Sequence, residues 1–267
     1  LDLTVLADKH SPNTDGCDPE SCDDVRILGV RFSVGDDCIA IKSGKLAMAQ
    51  KFHTPSSHIT IRNWLMNDGH GAVVLGSEMG AGIKNLNVSY CIFENTDRGV
   101  RVKTRRGRGK LAVVDGVTFH HIVMKNVLTP LVINMFYNCD PLDGKTWYVW
   151  TKEKLPVDER TPYLGKFVFC DMVCEDASAC GGFFYGLPEA PIASITLQNV
   201  SISFKENPEL KKPAMMSYLQ PMKQKGLYLK NVDEVILKNV QINNFRGSPI
   251  TRSNIGKITG RLAKEVL

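Results

Sequence analysis

Short apolar runs with period two recur along the whole chain and can be laid over one another. Aligned on their apolar alternation, "CIAIKS" (38–43), "AVVLGS" (72–77) and "GVRVKT" (99–104) place Ile41, Val74 and Val102 in one column, at spacings of 33 and 28 residues. A second phrase ending in Asn-Val recurs at "LQNV", at "LKNV" (229–232 and 237–240) and, more loosely, at "MKNV" (124–127). Strand–turn–strand content repeating every roughly 20–35 residues is the mark of a solenoid. Leucine-rich, ankyrin and tetratricopeptide patterns are absent, and no long stretch sustains a 3.6-residue apolar period. An all-β parallel β-helix fits best, each coil laying a strand about 4.7–4.9 Å from the one before. Asparagine at recurring turns suits it, because Asn tolerates the left-handed region and can ladder from coil to coil. On pattern alone an antiparallel sandwich is the rival.

Two stretches break the repeat. Residues 139–166, with two tryptophans, and 205–226, rich in Lys, Pro and Met, read as excursion loops, since strands continue on both sides. Residues 1–267 therefore read as a single β-helix domain. No apolar run approaches the roughly 20 residues that span a bilayer. The opening "LDLTVLADKH" is neither a signal start nor a Met start, which leads to the expectation that N-terminal sequence is missing.

The formal net charge is +5, and six cations crowd "RVKTRRGRGK" (101–110). The plain reading of that run is a solvated loop. No interleaved aromatics and no nucleic-acid module surround it, so a nucleic-acid partner is not expected. Eight cysteines include no CxxC pair. Cys38, Cys91 and Cys170 sit within apolar runs and read as small core residues. Most are expected to be free thiols, which leans toward a reducing compartment and leaves the location open.

Stacked coils make equivalent columns neighbours in space. The alignment puts Asp37 beside His70, Arg101 beside Ala40 and Lys103 beside Lys42, while Asp15 lies 21 residues before Asp36. Arg101 and Lys103 are two apart and share a face of their strand. One outer groove would then carry Asp15, Asp36, Asp37, His70, Arg101 and Lys103. Three adjacent carboxylates repel, which raises the pKa of at least one. That split serves inverting glycoside hydrolysis, where one carboxylic acid protonates the leaving oxygen and a carboxylate activates water. Arg and Lys at the rim suit an acidic sugar. Asp36 and Asp37 both follow Gly35, so a bend there would free them from strict alternation and open both onto the groove.

"NTDG" (13–16), "GDD" (35–37), "GHG" (69–71) and "RVK" (101–103), in this order, resemble the four signature motifs of the polygalacturonase family of glycoside hydrolases. The resemblance implies a right-handed, single-stranded parallel β-helix that hydrolyses α-1,4 bonds between galacturonic acids in pectin, with inversion and with no metal or cofactor. It implies Asp36 as general acid, Asp15 and Asp37 as the pair that positions and deprotonates water, and His70 as the residue tuning the acid. Arg101 and Lys103 would bind galacturonate carboxylates, Asn13 would support the site, and Tyr137 would contact substrate. Partners would be polygalacturonate and oligogalacturonides, with no membrane and a monomeric chain; members are usually secreted or periplasmic. The chain departs from the family in having Val102 where Ile is usual. It also begins about one strand before the first motif, so several N-terminal coils of the catalytic domain would be absent. Rival readings are a calcium-dependent pectate lyase-type β-helix, a rhamnogalacturonan hydrolase and an inactive pectin-binding fragment. His120 and His121 read as structural, and Trp147 and Trp150 as loop anchors.

Overall fold

The computed structural model describes residues 3–138 and 146–263. Among the described residues sixteen strands form one sheet, thirteen of them along a single path with Arg26–Leu28, Tyr163–Leu164 and Ile250–Leu262 paired beside it, and these strand pairings are all parallel. The first ladder stacks Leu3–Leu6, Val30–Val34, Ser56–Asp68, Ile83–Glu94, Val113–Lys125, Lys166–Ala177 and Ile192–Phe204. The second stacks Asp37–Ile41, Gly71–Gly76, Arg98–Lys103, Thr129–Asn134 and Cys180–Tyr185. The long strand Lys225–Asn243 joins them, its first part pairing with Cys180–Tyr185 and its second with Ile192–Phe204. This is the parallel β-helix expected from the repeat.

The periodicity has a backbone cause. Asn63, Tyr90, His121, Asp171, Asn199 and Asn239 fall in one register column, and each has φ between 51 and 62°. One left-handed residue per coil bends each long strand at the same height. Polar side chains then tie the bends together: Asn239 donates to Asn199 (3.0 Å), and Asn199 donates to Asp171 (2.9 Å). A second ladder links Asn126 to Asn95 (2.7 Å) and Asn95 to Asn67 (3.0 Å). The asparagines of all four Asn-Val phrases, Asn126, Asn199, Asn231 and Asn239, have positive φ. Inside, the column Phe32, Met66, Phe93, Met124, Cys174, Ile202 and Ile242 is buried from end to end. The seven described cysteines are all free, and burial pushes the thiols of Cys91, Cys174 and Cys180 up to about 12. These last three are inert core residues.

The alignment is corrected at one coil. Ile41 pairs with Leu75, and Leu75 with Val102, so the column passes one residue beyond Val74. Ala72 to Leu75 are apolar and buried throughout, so alternation there carries no phase. The slip moves His70 from Asp37 to Asp36.

The cationic run 101–110 is also corrected, because it is not a solvated loop. Arg106 is 3% exposed and grips Glu189 along with the carbonyls of Tyr148, Thr151 and Glu153. It thereby fastens the first excursion to the coil. Within that excursion Trp147–Trp150 forms one helical turn, and Trp150 packs edge-on against Tyr218 of the second. Residues 139–145 of the first excursion lie outside the described residues. A helix over Leu46–Phe52, rich in Ala, Leu and Met, is too short to show as a period.

Asn199 tests the left-handed column. Asn199→Ala and Asn199→Gly both remove two ladder bonds, but alanine lacks asparagine's tolerance of the left-handed region, which glycine adopts freely. Chemical denaturation should find the Ala variant less stable than the Gly variant by about 1 kcal/mol. Equal or reversed stabilities would contradict the assignment.

Candidate active site

Three turns converge at the start of the second ladder. Thr14 accepts a hydrogen bond from the Gly35 N–H (3.0 Å) and donates to the Ser11 carbonyl (2.9 Å), locking the NTDG turn to the GDD bend. Gly16 N–H donates to the Asp37 carbonyl (3.0 Å), and Cys17 bridges Ile39, so Asp15 is held beside Asp37. At Gly35 an added Cβ would lie 2.3 Å from the Ser11 carbonyl oxygen, so only glycine lets the two turns meet. Gly69 has φ +83°, and a Cβ there would lie 2.4 Å from the Asp36 carbonyl oxygen. Next to it, the His70 N–H donates to that carbonyl (3.0 Å).

The result is a compact acid cluster. Asp15, Asp36 and Asp37 each place a carboxylate oxygen within 4.8 Å of the others. Asp36 occupies the bend and Asp37 opens the strand Asp37–Ile41, so neighbouring carboxylates face the same space, as the glycine before them suggests. Their environments differ sharply. Asp37 is 1% exposed, with one oxygen 3.1 Å from Arg101 Nη1 and the other 2.6 Å from Lys103 Nζ. Burial pushes its pKa up, but Arg101 and Lys103 outweigh burial and hold it below the usual carboxylate range. Asp15 goes the other way. Burial first, then Asp18, Asp36 and Asp37, raise it to about 6, with Lys42 at 3.6 Å opposing. Asp36 is half-buried, with His70 Nδ1 3.1 Å from its Oδ1.

The structure therefore gathers Asp15, Asp36, Asp37, His70, Arg101 and Lys103. The raised carboxyl is Asp15, a residue given a water-side role by resemblance. Arg101 is 4% exposed, so both rim cations are engaged by Asp37 and lie deeper than a rim. Tyr137 is buried at 8% exposure, its ring 5.9 Å from the Arg101 guanidinium and 5.6 Å from the Lys103 ammonium. Asn13 is exposed at the turn carrying Asp15, with φ 55°. His120 and His121 lie on the first ladder, where His121 stacks on Tyr90 and His120 meets it edge-on.

Several contributors escape motif reading. Lys42 bonds Asp18 and approaches Asp15, and only its place in the Lys103 column hints at it. Met215, whose sulfur is 3.0 Å from Arg101 Nη2, comes from the second excursion and leaves no signal in the sequence. The three carboxylates are spaced to share a cation, but both oxygens of Asp37 already bond Arg101 and Lys103. That is a poor start for an ion wanting six to eight oxygen ligands.

Known proteins are similar to this chain in sequence and in fold. The family model for glycosyl hydrolases family 28 matches residues 1–152, more than half of the chain, and the chain belongs to that family. A probable polygalacturonase of Vitis vinifera is 30% identical over 201 residues, covering 75% of this chain and 38% of that protein. An endo-polygalacturonase of Pectobacterium carotovorum subsp. carotovorum is 35% identical over 134 residues, covering 50% of this chain and 31% of its own length. The crystal structure of a hyperthermoactive exopolygalacturonase from Thermotoga maritima matches with a TM-score of 0.68 at 24% identity, over 88% of this chain and 45% of that one. That likeness shows the fold. The chain spans less than half the length of these relatives.

The opposite shifts of Asp37 and Asp15 give opposite stability effects. Asp37's lowered pKa contributes stability above the ordinary carboxylate pKa that is lost as pH falls through its folded value. At pH 7, Asp37→Asn strands the buried Arg101 and the largely covered Lys103 and should cost about 3–5 kcal/mol. Asp15's raised pKa imposes a penalty that is absent below about pH 4 and complete above about 6. Asp15→Asn should therefore raise the melting temperature at pH 7 and leave it unchanged below pH 4. Melting scans across that range check both, and shifts of the same sign at pH 7 would refute the electrostatic assignment.

Proposed function

We propose that this chain hydrolyses the α-1,4 bonds of polygalacturonate with inversion, using Asp15, Asp36 and Asp37. The observation carrying the reading is one cluster in which a clamped anion, a carboxyl shifted to about 6 and a histidine-bonded carboxyl share one space. Asp36, approached by His70, gives its proton to the leaving glycosidic oxygen as the C1–O bond breaks. Water adds to C1, and its proton passes to Asp15, whose pKa of about 6 suits a general base at near-neutral pH. Asp37 stays ionised, orients the water and stabilises positive charge developing on the sugar. Arg101 has donors beyond the one on Asp37. Among the described residues its Nη2 donates to the weak sulfur acceptor of Met215, and a galacturonate carboxylate would be the stronger partner. Asn13 and Tyr137 complete the substrate contacts in this reading.

The closest oxygens lie within 4.8 Å, tighter than the roughly 6.5–9.5 Å usual between inverting pairs. The anomeric configuration of the first product is thus the decisive observable. Polygalacturonate incubated with the protein and a chelator should release reducing ends with inverted configuration by NMR, and Asp36→Asn should lose about 10²–10⁴-fold. Retention, equal activity of the two proteins, or unsaturated ultraviolet-absorbing products would each overturn the reading.

The pH profile supplies a second check. kcat/KM should fall as pH drops through about 6, where Asp15 takes up its proton. Asp18 raises the pKa of Asp15 and also holds Lys42. Asp18→Asn should then move the acid limb to lower pH, and an unmoved limb would mean Asp15 does not govern it.

A further inference from the structure

The second excursion crosses the outer face of the second ladder from one edge to the other. At the start of the strand Arg98–Lys103, Arg98 donates to the carbonyls of Lys212 (3.1 Å) and Pro213 (3.2 Å). Mid-face, Asn134 donates to the Met215 carbonyl (2.9 Å), and Met215 sulfur meets Arg101. Past the strand ends, Tyr137 bridges Met216, and Asn138 donates to Ser217 (2.7 Å). Tyr218 then meets Trp150 of the first excursion, which Arg106 fastens to the coil. The segment 212–218 runs along the strands, perpendicular to the stacking axis.

Asn134 lies in the column of Lys103, one coil further on. The wall therefore begins at the coil of the two cations, where Met215 touches Arg101, and reaches the next coil one strand spacing, ~4.8 Å, further on. A polysaccharide lying along the stacking axis over Asp36, His70 and Arg101 would meet it immediately. A pyranose unit is about as long as one such spacing.

We infer that this wall ends the groove on the Arg101 side, so that one terminus of a galacturonate chain seats against segment 212–218 and cleavage releases a short product from that end. The inference rests on the substrate reading above and adds its mode of attack. Arg98, Met215 and Asn134 act here as specificity-determining residues: they place the wall and take no part in the chemistry.

The test uses the full chain with galacturonate oligomers that are unlabelled or carry a bulky fluorophore at one end at a time. With Asp36→Asn, one tag position should weaken binding at least about tenfold and the other should have little effect. With the wild type, reducing ends should accumulate from polygalacturonate while viscosity falls slowly, and the first products should be one or two sugars long. Equal tolerance of both tags, or rapid viscosity loss with mixed internal products, would overturn the wall while leaving the hydrolase reading intact. Failure of the unlabelled oligomer to bind either protein would overturn both.

Discussion

Asp37 is the residue on which the site is built. Its carboxylate is removed from water and clamped between Arg101 and Lys103, which lie two coils further along the stack. Each of the three ions would be costly at that depth without the others. Together they fix the spacing between the GDD bend and the RVK strand and keep one negative charge permanent. That charge, added to burial and to Asp18 and Asp36, helps hold Asp15 partly protonated near pH 6. The clamp lowers Asp37 while burial and neighbouring carboxylates raise Asp15, so two acids less than 5 Å apart differ in protonation behaviour.

The stack that supports the clamp is repetitive because its bends are repetitive. One left-handed residue per coil turns the chain at a constant height, and asparagine ladders hold successive bends in line. Inward columns of Phe, Met, Ile and Val then fill the interior. Outward positions are left to diverge, so Val74, Arg101 and Val132 can occupy one column with unrelated tasks. Excursions add the rest, anchored by Arg106 at one side and Arg98 at the other.

Much of this was legible from sequence, for a physical reason. A β-helix repeats its strand and turn chemistry, so period-two runs and recurrent Asn-Val phrases report the fold directly. Motifs at equivalent heights then report the site, and Asp15, Asp36, Asp37, His70, Arg101 and Lys103 do converge. Phase was illegible at Ala72–Leu75, where both faces are buried, and the one-residue slip exchanged the partners of His70. Depth was illegible too. Alternation shows that Arg101 and Lys103 share a face, but not that an acid beneath them consumes their charge. Contacts made by excursions, such as Met215 on Arg101 and Glu189 on Arg106, join positions far apart in sequence and carry no local pattern.

The site depends on opposite protonation behaviour in two neighbouring acids: the clamp holds Asp37 ionised, while burial and nearby carboxylates raise Asp15. Carbon NMR titration of aspartate carboxyls in the labelled protein, assigned through Asp15→Asn and Asp37→Asn, measures it directly. Asp15 should titrate at about 6, and Asp37 should remain ionised below the ordinary aspartate range. Titration of Asp37 above Asp15, or of both in the ordinary range, would contradict it.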